Sequence, residues 1–187
     1  DDFYVLTSHR RENVESSASL IRILDLASQL EAKVIFPAGY RTQKQIKEFG
    51  LALPNNLITV DPIGYLELLE LISASKGVLT DSGTIVEETA VLGIPTIQLR
   101  KSTERPEVYE FVSAVKFDPS SNASISETLK VFFALKPNSW KHTFGDGKAS
   151  YRIVEDLVKR YINNDFQGHQ PSKYEPFSLR SYSDNIN

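Results

Sequence analysis

Short apolar runs alternate with helical patterns along almost the whole chain. Phe3 to Thr7, Val34 to Pro37, Leu57 to Val60, and residues 77–80, 95–99 and 114–117 read as strands, each a brief apolar run bounded by turn residues. Ser16 to Leu30 reads as an amphipathic helix carrying Leu20, Ile21, Ile23, Leu24, Leu26 and Ala27. Further helices are expected over Thr42–Gly50, Tyr65–Ser75, 85–92 and 124–134, with Gly50 suited to a left-handed cap. Pro137 to Lys148 reads as a loop and Ala149 to Ile162 as a final amphipathic helix. Alternation at this spacing predicts an α/β fold: a Rossmann-like parallel sheet with helices on both faces. Residues 1–165 are expected to form that domain and 166–187, carrying Tyr174, Phe177 and Tyr182, either a flexible polar tail or an arm resting on a missing domain or subunit.

Ligands of such sheets sit beyond the carboxyl ends of the strands. The loops there are Ser8–Asn13, Ala38–Thr42, Asp61–Gly64, Asp81–Thr84 and Arg100–Arg105. Composition narrows what they can bind. The 187 residues are 41% apolar, enough for a core, and contain no cysteine and no methionine, so there is no disulfide, thiol nucleophile or thiolate metal site. Because translation starts at methionine, the chain is expected to be a piece of something longer. A net charge of −3 argues against nucleic acid as the main partner. No run approaches a membrane span and no export signal is visible, so no membrane partner and a cytoplasmic setting are expected. Positive charge is instead local: His9, Arg10 and Arg11; Arg41 and Lys44; Arg100, Lys101 and Arg105.

The most informative stretch runs from Thr80 to Pro106. An apolar strand enters the turn Asp81-Ser82-Gly83-Thr84, a helix opens with Glu87 and Glu88, and a second strand ends in an arginine-bearing loop. Strand, tight turn and helix N-terminus build an anion cradle from backbone N–H groups and the helix dipole. The N–H groups of Gly83 and Thr84 and the Ser82 hydroxyl can hold a diphosphate, Glu88 can accept both hydroxyls of a ribose, and Arg105 can grip phosphate oxygens in a bidentate way. An ordinary N-cap by Asp81 or Ser82 explains the same turn equally well. His9 and Arg10 follow the first strand directly, and cations crowded there favour an anion between them. His142 and His169 fall in loop and tail, no metal-ligand spacing emerges, and Gly145-Asp146-Gly147-Lys148 lacks the Walker spacing.

Thr7-Ser8-His9-Arg10-Arg11-Glu12-Asn13, Thr80 to Glu88, Leu92-Gly93-Ile94-Pro95, Arg100 with Thr103-Glu104-Arg105-Pro106-Glu107, and Gly145 to Val154 together resemble the C-terminal half of the non-hydrolysing UDP-N-acetylglucosamine 2-epimerases. The resemblance runs in order from Phe3 to about Tyr161. It implies a two-domain, glycosyltransferase-B-like architecture with UDP in the interdomain cleft, polysaccharide biosynthesis as the setting, and no cofactor. Ser82 and Gly83 would hold the diphosphate, Glu88 the ribose, and Arg105 would lie against the phosphates. The family reaction eliminates UDP to a glycal-type intermediate and adds it back to the other face. The acid and base carboxylates belong to the N-terminal half, so catalytic residues stay unassigned here, and this piece alone is expected to be inactive. The implied partners are a UDP-sugar and the N-terminal domain or a partner subunit, with a homodimer left open.

Several positions depart from the family pattern. Thr84 replaces a usual glycine, where a β-branched residue resists positive φ. Gly39 stands where an active-site histidine is usual, and Leu68 where an aromatic flanks the uracil. The run Arg41-Thr42-Gln43-Lys44 resembles a branch acting on 6-deoxy-sugar nucleotides. Val108-Tyr109-Glu110-Phe111 replaces a glycine-containing run. The rival readings are therefore a degenerate UDP-sugar-binding subunit, a 2-epimerase of a 6-deoxy-sugar nucleotide, and a glycosyltransferase domain of the same fold.

Overall fold

The computed structural model describes residues 2–165, which fall into two compact units divided between Phe144 and Gly145. The first unit holds six parallel strands: β1 (Phe3–Thr7), β2 (Lys33–Pro37), β3 (Leu57–Val60), β4 (Val78–Thr80), β5 (Thr96–Leu99) and β6 (Ala114–Phe117). Its helices are α1 (Arg11–Val14), α2 (Ser17–Ser28), α3 (Tyr40–Glu48), α4 (Tyr65–Ser73), α5 (Gly83–Leu92), α6 (Glu107–Glu110) and α7 (Ile125–Ala134). The strands lie in the order β3-β2-β1-β4-β5-β6. The order reverses between β1 and β4, and in a doubly wound sheet ligands bind above that reversal.

Both faces of the sheet are covered, as crossover connections between parallel strands require. Tyr4 and Leu6 of β1, Leu79 of β4 and Ile97 of β5 join one core cluster with Leu20, Ile23 and Leu26 of α2 and Leu129 and Phe132 of α7. Val5 and Val78, one residue out of phase, pack on the other side with Ile72 of α4 and Ile85 of α5. This is the period of two expected of strands buried on both faces. Ser16 and Ser124 cap α2 and α7 through their side chains, and Gly50 takes φ +62 just past α3.

The expected strands and long helices are all present. Two four-residue helices, α1 and α6, are additional, because one turn is too short to show an apolar period. Helices α3 and α5 begin two residues earlier than the expected Thr42 and residue 85. The added residues, exposed Tyr40 and Arg41 in α3 and the small Gly83 and Thr84 in α5, contribute nothing to a buried apolar stripe although the backbone is already helical. Thr84 lies in that first turn of α5, where φ is negative, so its β-branch meets no conflict.

The second unit contains α8 (Ala149–Ile162). Asp146 ahead of it accepts two hydrogen bonds from Arg152, at 2.8 and 2.6 Å, and one from the Lys148 N–H. Gly145 and Gly147 take φ +97 and +76 around that aspartate. The Walker-like run is thus the entry turn of a helix. The expected tail over residues 166–187 lies outside the described residues.

Candidate functional site

The site is built above the β1/β4 reversal around Asp81, the first residue past β4. Its side chain is fully buried. It accepts from Ser8 Oγ at 2.9 Å, the His9 N–H at 3.0 and 3.1 Å, the Arg10 N–H at 3.0 Å and Asn13 Nδ2 at 3.1 Å. His9 Nδ1 stands 3.1 Å from the same carboxylate. Arg10 Nε donates to the Asp81 carbonyl at 2.9 Å, and Asn13 Nδ2 also reaches the Leu99 carbonyl at 3.0 Å. The buried carboxylate therefore locks the loop after β1 onto the end of β4, and Asn13 ties the same loop to the end of β5.

These bonds decide the charge states. Burial pushes the Asp81 carboxyl up, but the hydrogen bonds from His9, Arg10 and Asn13 outweigh it and hold the group below its ordinary pKa. The same carboxylate raises the pKa of His9, against a smaller opposing effect of partial burial. With Nδ1 engaged by Asp81, the other ring nitrogen of this half-exposed imidazole is left for a ligand.

The turn that follows is an N-terminus with donors to spare. Ser82 caps α5, its Oγ accepting from the Ile85 N–H at 3.3 Å, so the cap is Ser82 and not Asp81. The N–H groups of Gly83 and Thr84 have no acceptor among the described residues, as the first turn of a helix requires. The Ser82 N–H is itself held by Thr80 Oγ1 at 3.0 Å, and Thr80 Oγ1 pairs with Thr7 Oγ1 at 2.7 Å across the strands. Glu88, one turn into α5, accepts from the Tyr65 hydroxyl at 2.8 Å, which raises the pKa of that tyrosine.

The loop after β5 brings two arginines. Arg105 Nε bonds the Glu87 carboxylate, and its Nη1 donates to the Glu104 carbonyl at 2.9 Å. Arg100 donates to both oxygens of Glu104, at 2.6 and 3.0 Å. His9, Arg10, Ser82, Gly83, Thr84, Glu88 and Arg105 thus all lie on the ligand side of the sheet, on the β1 loop, the first turns of α5 and the β5 loop. Arg11 does not join them: it pairs along α1 with Glu15 at 3.0 Å. Sequence reasoning missed Tyr65, Asn13 and the anchoring role of Asp81; the only available signal was that Asn13 and Asp81 fall on ligand-side loops and Tyr65 directly follows one. Among the described residues no cluster of histidine, cysteine and carboxylate suits a metal, and no helix is long and apolar enough to cross a membrane.

This sheet order is that of a doubly wound, Rossmann-like domain, the class found in glycosyltransferase-B-like folds. At the level of fold alone, the glycosyltransferase SnogD from Streptomyces nogalater is similar, with TM-score 0.51, 13% identity, and 87% of this chain and 39% of that one covered. A model of the UDP-N-acetylglucosamine 2-epimerase family matches residues 1–158, and the chain belongs to that family. The UDP-N-acetylglucosamine 2-epimerase of Methanocaldococcus jannaschii is 37% identical over 166 residues, covering 84% of this chain and 45% of the relative. A crystal structure of the enzyme from that organism with UDP-GlcNAc and UDP superposes with TM-score 0.74 at 34% identity, covering 85% of this chain and 46% of that one. The chain spans about half the length of the relatives it matches.

Proposed function

We propose that this chain is the UDP-binding half of a nucleotide-sugar 2-epimerase, acting on UDP-N-acetylglucosamine or a close relative and completed by an N-terminal domain or partner subunit. The observation that carries the reading is the Asp81 anchor, which holds His9 and Arg10 beside the turn whose Gly83 and Thr84 N–H groups are uncommitted. A diphosphate placed there meets backbone donors, a helix dipole and cations together. Glu88 receives the ribose hydroxyls in exchange for Tyr65, and Arg105 turns from Glu87 to the phosphates.

Inversion at C2 needs a base at a weakly acidic proton and a diphosphate that leaves and is retained. The residues of this chain serve the second need: they hold the departing charge with donors already in place. Proton abstraction falls to the complementary half. The chain alone is therefore expected to bind UDP weakly, at about 4–6 kcal/mol, because one wall of the cleft is supplied elsewhere. Titrating UDP into the isotope-labelled chain should shift the amides of residues 8–10 and 82–88; shifts confined to other residues would move the site. NMR should show no C2 inversion or deuterium uptake from a UDP-sugar with the chain alone.

A binding-only subunit is favoured by one observation: Gly39 stands where the family usually carries a histidine, although a Cβ there would meet no atom within 4 Å. Deuterium exchange at C2 by the full-length protein decides between the two.

A further inference from the structure

The Glu104 carboxylate sits beside the first turn of α5, in the grip of Arg100. Arg100 Nη1 and Nη2 bond its two oxygens, and Glu104 Oε2 and Arg100 Nη1 lie 3.7 and 4.0 Å from where a side chain on Gly83 would begin. Its pKa is held below the usual carboxylate range, first by those hydrogen bonds from Arg100 and to a smaller degree by the field of Arg10. A carboxylate gripped by a guanidinium fork, beside a helix N-terminus and close to a second arginine, has the surroundings of a bound phosphate.

The two partners differ in how firmly they are held. The side chain of Arg100 is 6% exposed, whereas that of Glu104 is 58% exposed and belongs to the loop after β5. The guanidinium is thus a fixed feature of the floor, and the carboxylate is free to swing into solvent. We propose that Arg100 is a further diphosphate-binding residue, and that Glu104 is a built-in anion which an incoming diphosphate displaces from it. The proposal rests on the diphosphate site argued above and adds a residue and an exchange to it. The two guanidinium nitrogens that Glu104 uses are those a bidentate phosphate takes, so the two anions exclude each other. The exchange also explains how a buried arginine keeps a partner throughout, since an unpaired buried charge is strongly unfavourable.

The test is isothermal titration of the chain with inorganic pyrophosphate, UDP and uridine. Glu104→Gln keeps the side chain's shape and removes the competing charge. It should tighten pyrophosphate and UDP about three- to tenfold and leave uridine unchanged. Glu110→Gln, the same charge change on α6, should shift pyrophosphate by less than about twofold. Arg100→Lys retains the buried charge and loses the fork, so it should weaken pyrophosphate, and adding Glu104→Gln to it should recover little. Unchanged or weaker pyrophosphate binding in Glu104→Gln, with wild-type UDP binding intact, overturns the exchange alone. A full Glu104→Gln gain in the Arg100→Lys background overturns Arg100 as the ligand. No binding of UDP or pyrophosphate by any variant overturns this proposal together with the diphosphate site beneath it.

Discussion

The two halves of the ligand side are built on opposite plans. Above β1, β4 and β5, every loop is tied down by the protein's own bonds: Asp81 holds five donor groups, Ser82 caps α5, and both arginines of the β5 loop have carboxylate partners. Above β2 and β3 the ties are fewer: Thr42 Oγ1 donates to the Ser8 carbonyl and Gln43 Nε2 to the Ala38 carbonyl, each at 2.8 Å, and Tyr65 reaches Glu88. Helices α3 and α4 start at Gly39 and Gly64 with no side-chain cap, Tyr65 and Leu66 are exposed, and a hollow of about 540 Å³ opens beside Thr59, Val60 and Asp61. On the proposed function, the contrast follows from what each half would hold. A diphosphate is recognised by charge and N–H geometry, which work only if set before it arrives. Apolar and sugar surfaces are recognised by contact area, which a second domain can complete.

The strongest way to break the comparison is Asp81→Ala. It leaves several buried donors without an acceptor, so it should destabilise the domain by roughly 3–5 kcal/mol, read from urea or thermal unfolding. A loss below about 1 kcal/mol would mean that the network is not a structural anchor.

Arg105→Ala should weaken UDP by roughly 1.5–3 kcal/mol and uridine hardly at all, because only UDP carries phosphate. Arg105→Lys should recover part of that loss, since an ammonium lacks the two-pronged geometry. Stability should fall by no more than about 1 kcal/mol, the worth of a partly exposed pair with Glu87. Equal losses for both ligands would make Arg105 a builder of its loop and not a phosphate ligand.

His9 sharpens the comparison through pH. Its folded pKa is raised above the ordinary 6.5, so its protonated contribution is fully present below 6.5 and disappears as pH rises through the folded value. Asp81, with a lowered pKa, stays charged throughout that window. UDP affinity should therefore fall by about 1 kcal/mol across that rise, the difference between a charged and a neutral donor. In His9→Gln the step should vanish from titrations run between pH 6 and 9.

The smallest effect belongs to the open half. Gly39→Ser supplies a cap to α3 at an N-cap residue with φ −60, where nothing obstructs it. A gain of about 0.5 kcal/mol in unfolding free energy is expected, from the cap and from a less flexible unfolded chain. A loss would show that Gly39 is constrained after all.

Much of this was legible beforehand. Short apolar runs placed all six strands and helical periodicity the long helices, and the rule that ligands gather at carboxyl ends selected the loops that now carry His9, Arg10, Ser82 to Thr84 and Arg105. The two short helices were not legible, because four residues contain too little repetition. Nor was the choice between Asp81 and Ser82 as cap, since either oxygen suits the turn and only backbone geometry decides.

By itself the chain determined which segments become strands and helices and which residues reach the ligand side, since hydrophobic period and turn chemistry act between near neighbours. The tertiary structure alone decided the partners. Asp81 meets Ser8 across 73 positions and Asn13 across 68, because β1 and β4 lie side by side at the reversal of the sheet. Arg105 finds Glu87 across 18 positions, although Glu104 and Glu107 flank it in the sequence. Pairing between side chains depends on where whole elements dock, and burial then turns that proximity into charge state, because only a desolvated carboxylate needs every donor within reach.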